Sequence, residues 1–246
     1  MRLENEVFVV TGAKGGMGRE TVKRFLEEGA YVAAVDLNVD GIEKSDRLLP
    51  IAANLTSEAD VARVFSEVKR VYGRLDGLVN IAGIAQAATQ IEEVSLADWE
   101  KLMSVNATSL FLTCREAVPY MKQQGEGVIV NIASISMVRP RPGLNAYIAS
   151  KGAAVSFSQA LAIELADYGI RVNVVNPGPA DTNMLGQFTS KDADVESTKE
   201  NIFKKSVPLG RLINPIDIAN SLVYLCSKEA SIVTGSVLNV DGGRGI

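Results

Sequence analysis

Seven short runs rich in Val, Ile, Leu and Ala recur along the chain, at residues 7–11, 31–36, 49–53, 75–82, 128–134, 171–176 and 236–240. Each is nearly continuous in apolar residues rather than alternating, the pattern of parallel strands covered on both faces. Longer stretches of helical spacing lie between them. Two of these open on Ser57-Glu-Ala-Asp60 and Ser95-Leu-Ala-Asp98, where a serine oxygen meets the amide three residues on. Asn214-Pro215 sets a capping residue and a first-turn proline ahead of a helix over 216–227. Gly29 and Gly169 end helices. Strand–helix–strand units with right-handed crossovers predict an α/β fold: a Rossmann-type, doubly wound, seven-stranded parallel sheet with helices on both faces.

No linker, repeat or low-complexity stretch divides the chain, so a single domain over 1–246 is expected. One segment breaks the pattern. Residues 183–207 are polar and charge-rich with no strand signal. They read as a solvated helix or loop, or as a substrate lid over a pocket.

Charge and composition narrow the function classes. A net charge of −4 and a pI near 5.1 argue against nucleic acid or an anionic membrane as the main partner. No apolar run approaches the roughly 18 residues needed to span a bilayer. Residues 7–10 are too short for a secretion signal and follow Glu4 and Glu6, so a cytoplasmic protein is expected. Cys114 and Cys226 lie in separate predicted helices and read as buried thiols rather than a disulfide. The chain has no histidine, which removes Ser-His-Asp and Cys-His catalysis and most zinc sites. No metal site is expected, and proton chemistry falls to Tyr, Lys, Asp, Glu or Cys.

A nucleotide site is written into the first strand and its turn. After Thr11, Gly12, Gly16 and Gly18 punctuate the entry to a helix. Glycines there permit a tight turn and let a pyrophosphate approach the helix amides. The spacing is G-x-x-x-G-x-G rather than G-x-G-x-x-G. Asp36 closes the next strand, where a carboxylate accepts from the adenosine ribose hydroxyls and repels a 2′-phosphate, favouring NAD over NADP. Lys14 in the glycine turn pulls toward NADP. Residues 37–39, Leu, Asn and Val, supply no further cation.

Tyr147 and Lys151 stand four apart on a long helical pattern over 147–168 and therefore share a face. A phenol titrates near pH 10, and an ammonium about 4–6 Å away lowers that value by roughly 1–3 units. Tyr147 can then exchange a proton with an alcohol or carbonyl oxygen. Ser134 ends the fifth predicted strand, at the edge where open α/β sheets bind ligands, and its hydroxyl is suited to polarise a substrate oxygen.

With these motifs the chain resembles the short-chain dehydrogenase/reductase family over essentially its full length. Thr11 to Gly18 is similar to T-G-x-x-x-G-x-G. Asn80-Ile81-Ala82-Gly83 is similar to N-N-A-G with its second Asn replaced. Val105-Asn106, Ser134, Tyr147 to Lys151 and Pro177 to Thr182 supply the remaining motifs, and Val240-Asp-Gly-Gly243 looks like the family's ending. The resemblance implies a catalytic tetrad. Tyr147 is the acid/base, and Ser134 polarises the substrate oxygen. Lys151 binds the nicotinamide ribose and lowers the Tyr147 pKa, while Asn106 anchors a water that relays protons to Lys151. Thr182 and the backbone near Ala180, after Pro177 and Gly178, hold the carboxamide. Met17, Leu37, Leu55, Asn80, Ala82 and Gly83 join the cofactor wall, and Asn54 replaces a common Asp at the adenine. Ser134, Ser136 and Tyr147 are the substrate contacts.

The helices over 95–124 and 147–168 are apolar on more than one face, which asks for cover beyond the sheet. The family packs them across a dimer axis, so a homotetramer is expected. Ser136, Met137, Val138, the neighbourhood of Asn145, residues 84–86 and the insertion from Asn183 are expected to line the substrate pocket. Arg139 and Arg141, among prolines, point either to an anionic substrate or to exposed loop cations, and the second reading is preferred. A sugar or polyol, a steroid-like or aromatic alcohol, a hydroxy acid and a 3-oxoacyl thioester all remain open. So do an NAD-linked secondary-alcohol dehydrogenase, an NADPH-linked 3-oxoacyl-[acyl-carrier-protein] reductase-like enzyme, and a non-catalytic nucleotide-binding regulator.

Overall fold

Alternate residues of each strand enter opposite cores, and that division organises the molecule. The computed structural model describes residues 1–189, 198, 200 and 203–246. The strands are β1 (Val7–Thr11), β2 (Tyr31–Asp36), β3 (Leu48–Ala52), β4 (Gly77–Asn80), β5 (Gly127–Ile132), β6 (Ile170–Pro177) and β7 (Val237–Val240). They form one parallel sheet in the order β3-β2-β1-β4-β5-β6-β7. Val7 and Val9 point into one core with Leu78 and Ile129; Phe8 and Val10 point into the other with Val79 and Val130.

Helices α1 (Gly16–Glu27) and α6 (Pro215–Cys226) cover the second core, through Val22, Phe25, Ile218 and Leu222. The first core is closed by α2 (Glu58–Tyr72), α4 (Ser109–Gln124) and α5 (Asn145–Leu165), through Val64, Phe65, Ala117 and Ala154. The three sequence-read caps form. Ser57 and Ser95 accept from the amides of Asp60 and Asp98, and Asn214 and Asp217 make a reciprocal capping box.

Two expected boundaries move. The fourth strand keeps only Gly77–Asn80 of the 75–82 run, because the Thr11 hydroxyl accepts from the amides of Ile81 and Ala82 at 3.1 and 3.2 Å and draws the chain across β1. The helix expected over 95–124 is interrupted. It runs as α3 (Leu96–Met103), a π-helical turn over Ser104–Thr108, and then α4.

Both cysteines are buried and unbridged. Burial pushes the Cys114 thiol up to about 12 and the Cys226 thiol higher still. Among the described residues no helix is long and apolar enough to cross a membrane. The middle of the 183–207 insertion lies outside the described residues, and with it much of the expected lid.

Candidate active site

The strand order reverses between β1 and β4, opening a crevice above the carboxyl ends of the strands. A cavity of about 500 Å³ occupies it, walled at one end by the glycine turn and at the other by Tyr147 and Ser134.

The nucleotide end is set by backbone. Gly12 has φ +66°, and a Cβ there would lie 2.8 Å from the Ala82 amide nitrogen. A Cβ on Gly18 would meet the Gly12 carbonyl oxygen at 2.0 Å, so α1 can approach β1 only without a side chain. Gly16 packs against Thr182, whose Cγ2 is 2.9 Å from the corresponding Cβ position. Helix α1 has no side-chain cap and no acid in its first turn, so its free amides and positive dipole end face the cavity. The dinucleotide pyrophosphate fits this cradle. Asp36 lines the cavity beside it and accepts from the amides of Lys14 at 3.0 Å and Leu37 at 2.8 Å. Lys14 turns its ammonium to Asn38 Oδ1, at 3.0 Å, rather than to Asp36. Asn54 and Leu55 also line the wall. The Asn54 amide oxygen already accepts from the Thr56 amide and hydroxyl, at 3.1 and 2.8 Å, so the adenine bond expected of it meets competition.

The other end is set by side chains. Ser134 leaves β5 in an extended conformation, and its hydroxyl accepts from Ser136 N at 3.1 Å, capping a short 3₁₀ turn. It lines the cavity together with Tyr147. Tyr147 sits in the first turn of α5, where Gln86 Oε1 accepts from its amide at 2.9 Å. Its ring meets Phe188 edge-on at 5.0 Å. Lys151 Nζ donates to the Ile132 carbonyl at 3.0 Å and lies 6.0 Å from the centre of the Tyr147 ring.

The electrostatics differ from the sequence expectation. Burial pushes the Tyr147 phenol up to about 12, against a downward pull from the Ser134 side chain. Burial also lowers the Lys151 ammonium to about 8. Lys151 is expected to depress the phenol; in this pocket burial is the larger influence on Tyr147 and Ser134 the opposing one.

Of the expected site residues, Gly12, Gly16, Met17, Gly18, Leu37, Ala82, Gly83, Pro177, Gly178, Ala180 and Thr182 line the cavity, as do Lys14, Asp36, Ser134, Ser136, Tyr147 and Lys151. Asn80 and Asn106 are not brought to its wall. Asn80 is buried between sheet and α4, donating to Asn131 Oδ1 at 2.9 Å and accepting from Thr113 at 2.9 Å. It braces the strand ends rather than touching a ligand. Asn106 sits in the π turn. Its amide donates to the Ile84 carbonyl at 3.0 Å and to Ser150 Oγ at 3.1 Å, and its oxygen accepts from Ile84 N at 2.8 Å. Both amide hydrogens are thus committed within the protein, although a Cβ on Gly83 would lie within 3.1 Å of Asn106 Oδ1 and 3.3 Å of Lys151 Nζ.

The substrate wall needs three corrections. Met137 packs into the sheet with Ala133, Val155 and Val174, and Val138 is half-exposed, so neither faces the cavity. Arg141 is not a free loop cation: it is half-buried over Phe203 and lines the cavity. The described ends of the insertion are solvated only in part: Asn183, Gln187 and Lys205 are exposed, whereas Leu185 and Phe203 are buried and line the same wall. Phe203 belongs to the insertion expected to line the pocket, but Leu144 and Arg244 escaped sequence reading, because nothing local marks a residue that reaches a pocket from a distant segment.

A glycine-lined nucleotide cradle facing a buried Ser–Tyr–Lys cluster is the architecture of a dinucleotide-dependent oxidoreductase. A family profile described as Enoyl-(Acyl carrier protein) reductase matches residues 12–244, and the chain belongs to the short-chain dehydrogenase/reductase family. It is therefore an NAD(P)-dependent enzyme acting on CH–OH groups. It is 35% identical to the 4-formylbenzenesulfonate dehydrogenase TsaC1/TsaC2 of Comamonas testosteroni over 100% of both chains. It is 36% identical to the 3-oxoacyl-[acyl-carrier-protein] reductase FabG of Thermotoga maritima over 99% of both. The solved 3-ketoacyl-(acyl-carrier-protein) reductase from Brucella melitensis complexed with NADH superposes with a TM-score of 0.92 at 39% identity, covering 99% of this chain and 100% of that one.

Proposed function

We propose that this chain interconverts a secondary alcohol and a ketone with NAD, Tyr147 serving as the acid/base. The observation that carries the reading is the buried trio Ser134, Tyr147 and Lys151 on the same cavity as the glycine cradle. NAD supplies hydride acceptance, and NADH donation, when bound. Tyr147 takes the proton from the substrate hydroxyl in oxidation and returns it to the carbonyl oxygen in reduction. Ser134 donates to the same oxygen and stabilises its developing charge. Lys151 holds the nicotinamide ribose and, through its positive charge, favours the phenolate. Asn106 and Asn80 are positioning residues: Asn106 fixes the 83–84 backbone against α5, and Asn80 ties β4 to β5. The carboxylate of Asp36 beside the glycine turn favours NAD.

A 3-oxoacyl-[acyl-carrier-protein] reductase-like enzyme using NADPH is the second reading. The similarity to the Thermotoga maritima enzyme supports it and Asp36 opposes it.

The test is NAD+ reduction followed by absorbance over polyols, sugars, hydroxy acids and hydrophobic secondary alcohols, with NADP+ and Tyr147→Phe as controls. Turnover with NAD+ that disappears in the variant is expected; turnover surviving in Tyr147→Phe overturns the assignment.

A homotetramer is proposed on the packing of α4 and α5. Phe111 and Phe157 meet edge-on at 6.2 Å beside a shallow hollow floored by Ala107, Ala153 and Ala154, and Ile163 on α5 is 81% exposed. Burying this face against a second copy removes apolar surface from water. Light scattering at the mass of four chains is the expected result.

A further inference from the structure

The redox reading leaves a cluster of guanidiniums unused. Arg141 and Arg244 both line the cavity. Arg141 is half-buried, with its guanidinium carbon 4.6 Å from the Phe203 ring centre. Arg244 is 7% exposed, though it lies near the end of the chain. A turn holds it in place. The Asp241 carboxylate accepts from the amides of Gly243 at 2.9 Å and Gly245 at 2.6 Å. Arg139 donates to the Arg244 carbonyl at 3.1 Å, and a Cβ on Gly245 would come within 2.9 Å of Ile135 Cδ1. The tail is therefore pinned against the segment carrying Ser134 and Ser136.

Among the described residues neither side chain donates a hydrogen bond or forms an ion pair. Burial lowers the Arg141 pKa, and burial together with the charges of Arg141 and Arg139 lowers that of Arg244. The Asp241 carboxylate acts the other way on Arg244, but it accepts from the Gly243 and Gly245 amides and forms no ion pair with the guanidinium. Buried arginine is rare without a partner, and two unpaired guanidiniums in one cavity are costly. A glycine turn that holds one of them there makes sense when an anion arrives from outside.

We propose that Arg141 and Arg244 form an oxyanion subsite, so that the substrate carries a carboxylate or sulfonate joined by an apolar spacer to the carbon that reacts at Tyr147. Each guanidinium offers a planar fork of donors that matches a carboxylate or sulfonate edge. Leu144, Phe188 and Phe203 supply apolar wall for the spacer. Lys151 is the other cation of this end, but its Nζ is engaged by Ile132. The inference names the substrate class for the redox reading above and rests on it.

The experiment pairs binding with turnover. Benzoate and its neutral counterpart benzamide are titrated by calorimetry into the NAD+-saturated protein, the Arg141→Met and Arg244→Met variants, and Arg244→Lys. Turnover of 4-(1-hydroxyethyl)benzoate, its sulfonate analogue and its methyl ester is followed alongside, and NADH binding reports that the variants fold. Benzoate is expected to bind and benzamide not, with each Met variant weakening benzoate about 30-fold or more and Arg244→Lys weakening it less. The acid and sulfonate should exceed the ester in kcat/KM. Removing a repelling buried charge should also raise the Tm of Arg244→Met without anion, and sodium benzoate should raise the wild-type Tm alone. Benzoate that binds no better than benzamide, fails to bind, or binds both Met variants as it binds wild type overturns the proposal. Arginine-dependent benzoate binding without turnover of any of the three alcohols would leave the subsite standing and sink the redox reading. Turnover that prefers the ester would do the reverse.

Discussion

The two ends of the cavity are built in opposite ways. At the nucleotide end, the pyrophosphate cradle comes from one contiguous stretch: β1, the glycine turn and the first turn of α1 lie within residues 7–19, and its fit lies in what side chains are missing. At the substrate end, the wall is assembled from residues 134–147, the insertion after Thr182 and the tail at Arg244, and specificity lies in the side chains present. A cradle defined by absent atoms tolerates almost no addition. A wall made of side chains on separate segments can be rewritten one residue at a time without disturbing the fold.

Four substitutions would sharpen or break that contrast. The largest effect belongs to Tyr147→Phe, which should lower turnover by about 10²- to 10⁴-fold while NADH affinity, measured by fluorescence titration, stays near wild type. Equal losses in both would show that the two ends are not separable. Gly18→Val comes next. Its Cβ alone collides with the Gly12 carbonyl, and overpacking of this kind costs about 1–3 kcal/mol, so NADH binding should weaken by roughly tenfold to a hundredfold. An unchanged titration would mean that the cradle yields. Asp36→Ala should reduce the ratio of NAD+ to NADP+ kcat/KM by about tenfold or more, the worth of hydrogen bonds to a charged carboxylate. A wild-type preference for NADPH would reverse the cofactor assignment.

The smallest effect is one of stability against pH. Lys151 is buried with its pKa lowered from 10.5 to about 8, so the folded protein releases this proton before the unfolded chain does. That contribution is complete above about pH 10.5 and is lost as pH falls through 8. Wild type should therefore gain stability relative to Lys151→Met between pH 8 and 10, by on the order of 2 kcal/mol. Tyr147, raised to about 12, works the other way above pH 10, so the comparison belongs in a Tyr147→Phe background. Parallel Tm curves for the two proteins would show that Lys151 is solvated rather than desolvated.

The same contrast explains what the sequence made legible. The sheet, its cores and the caps at Ser57, Ser95 and Asn214 could be read because each depends on residues within one turn or one strand of each other. The glycine turn could be read for the same reason. Arg244 could not, because its burial follows from contacts of the tail with Ile135 and Arg139, more than a hundred residues away. Asn80 and Asn106 were legible as residues that matter but not by what they touch, since their partners Asn131, Ile84 and Ser150 meet only in the folded sheet–helix packing. The dryness around Tyr147 was not legible, because spacing shows a neighbouring ammonium and says nothing of how buried the pocket is.

The π turn at Ser104–Thr108 is equivalent to one surplus residue wound into an otherwise α-helical rod. An α-helix advances about 100° per residue, so excising one residue there to restore regular winding would turn α3 against α4 by more than a quarter of a revolution. Such a shortened helix would be easier to form and would carry Asn106 away from both Ile84 and Ser150. The chain keeps an awkward winding because it sets the angular phase between two halves of one helix, much as a shim sets the timing between two gears on a shaft.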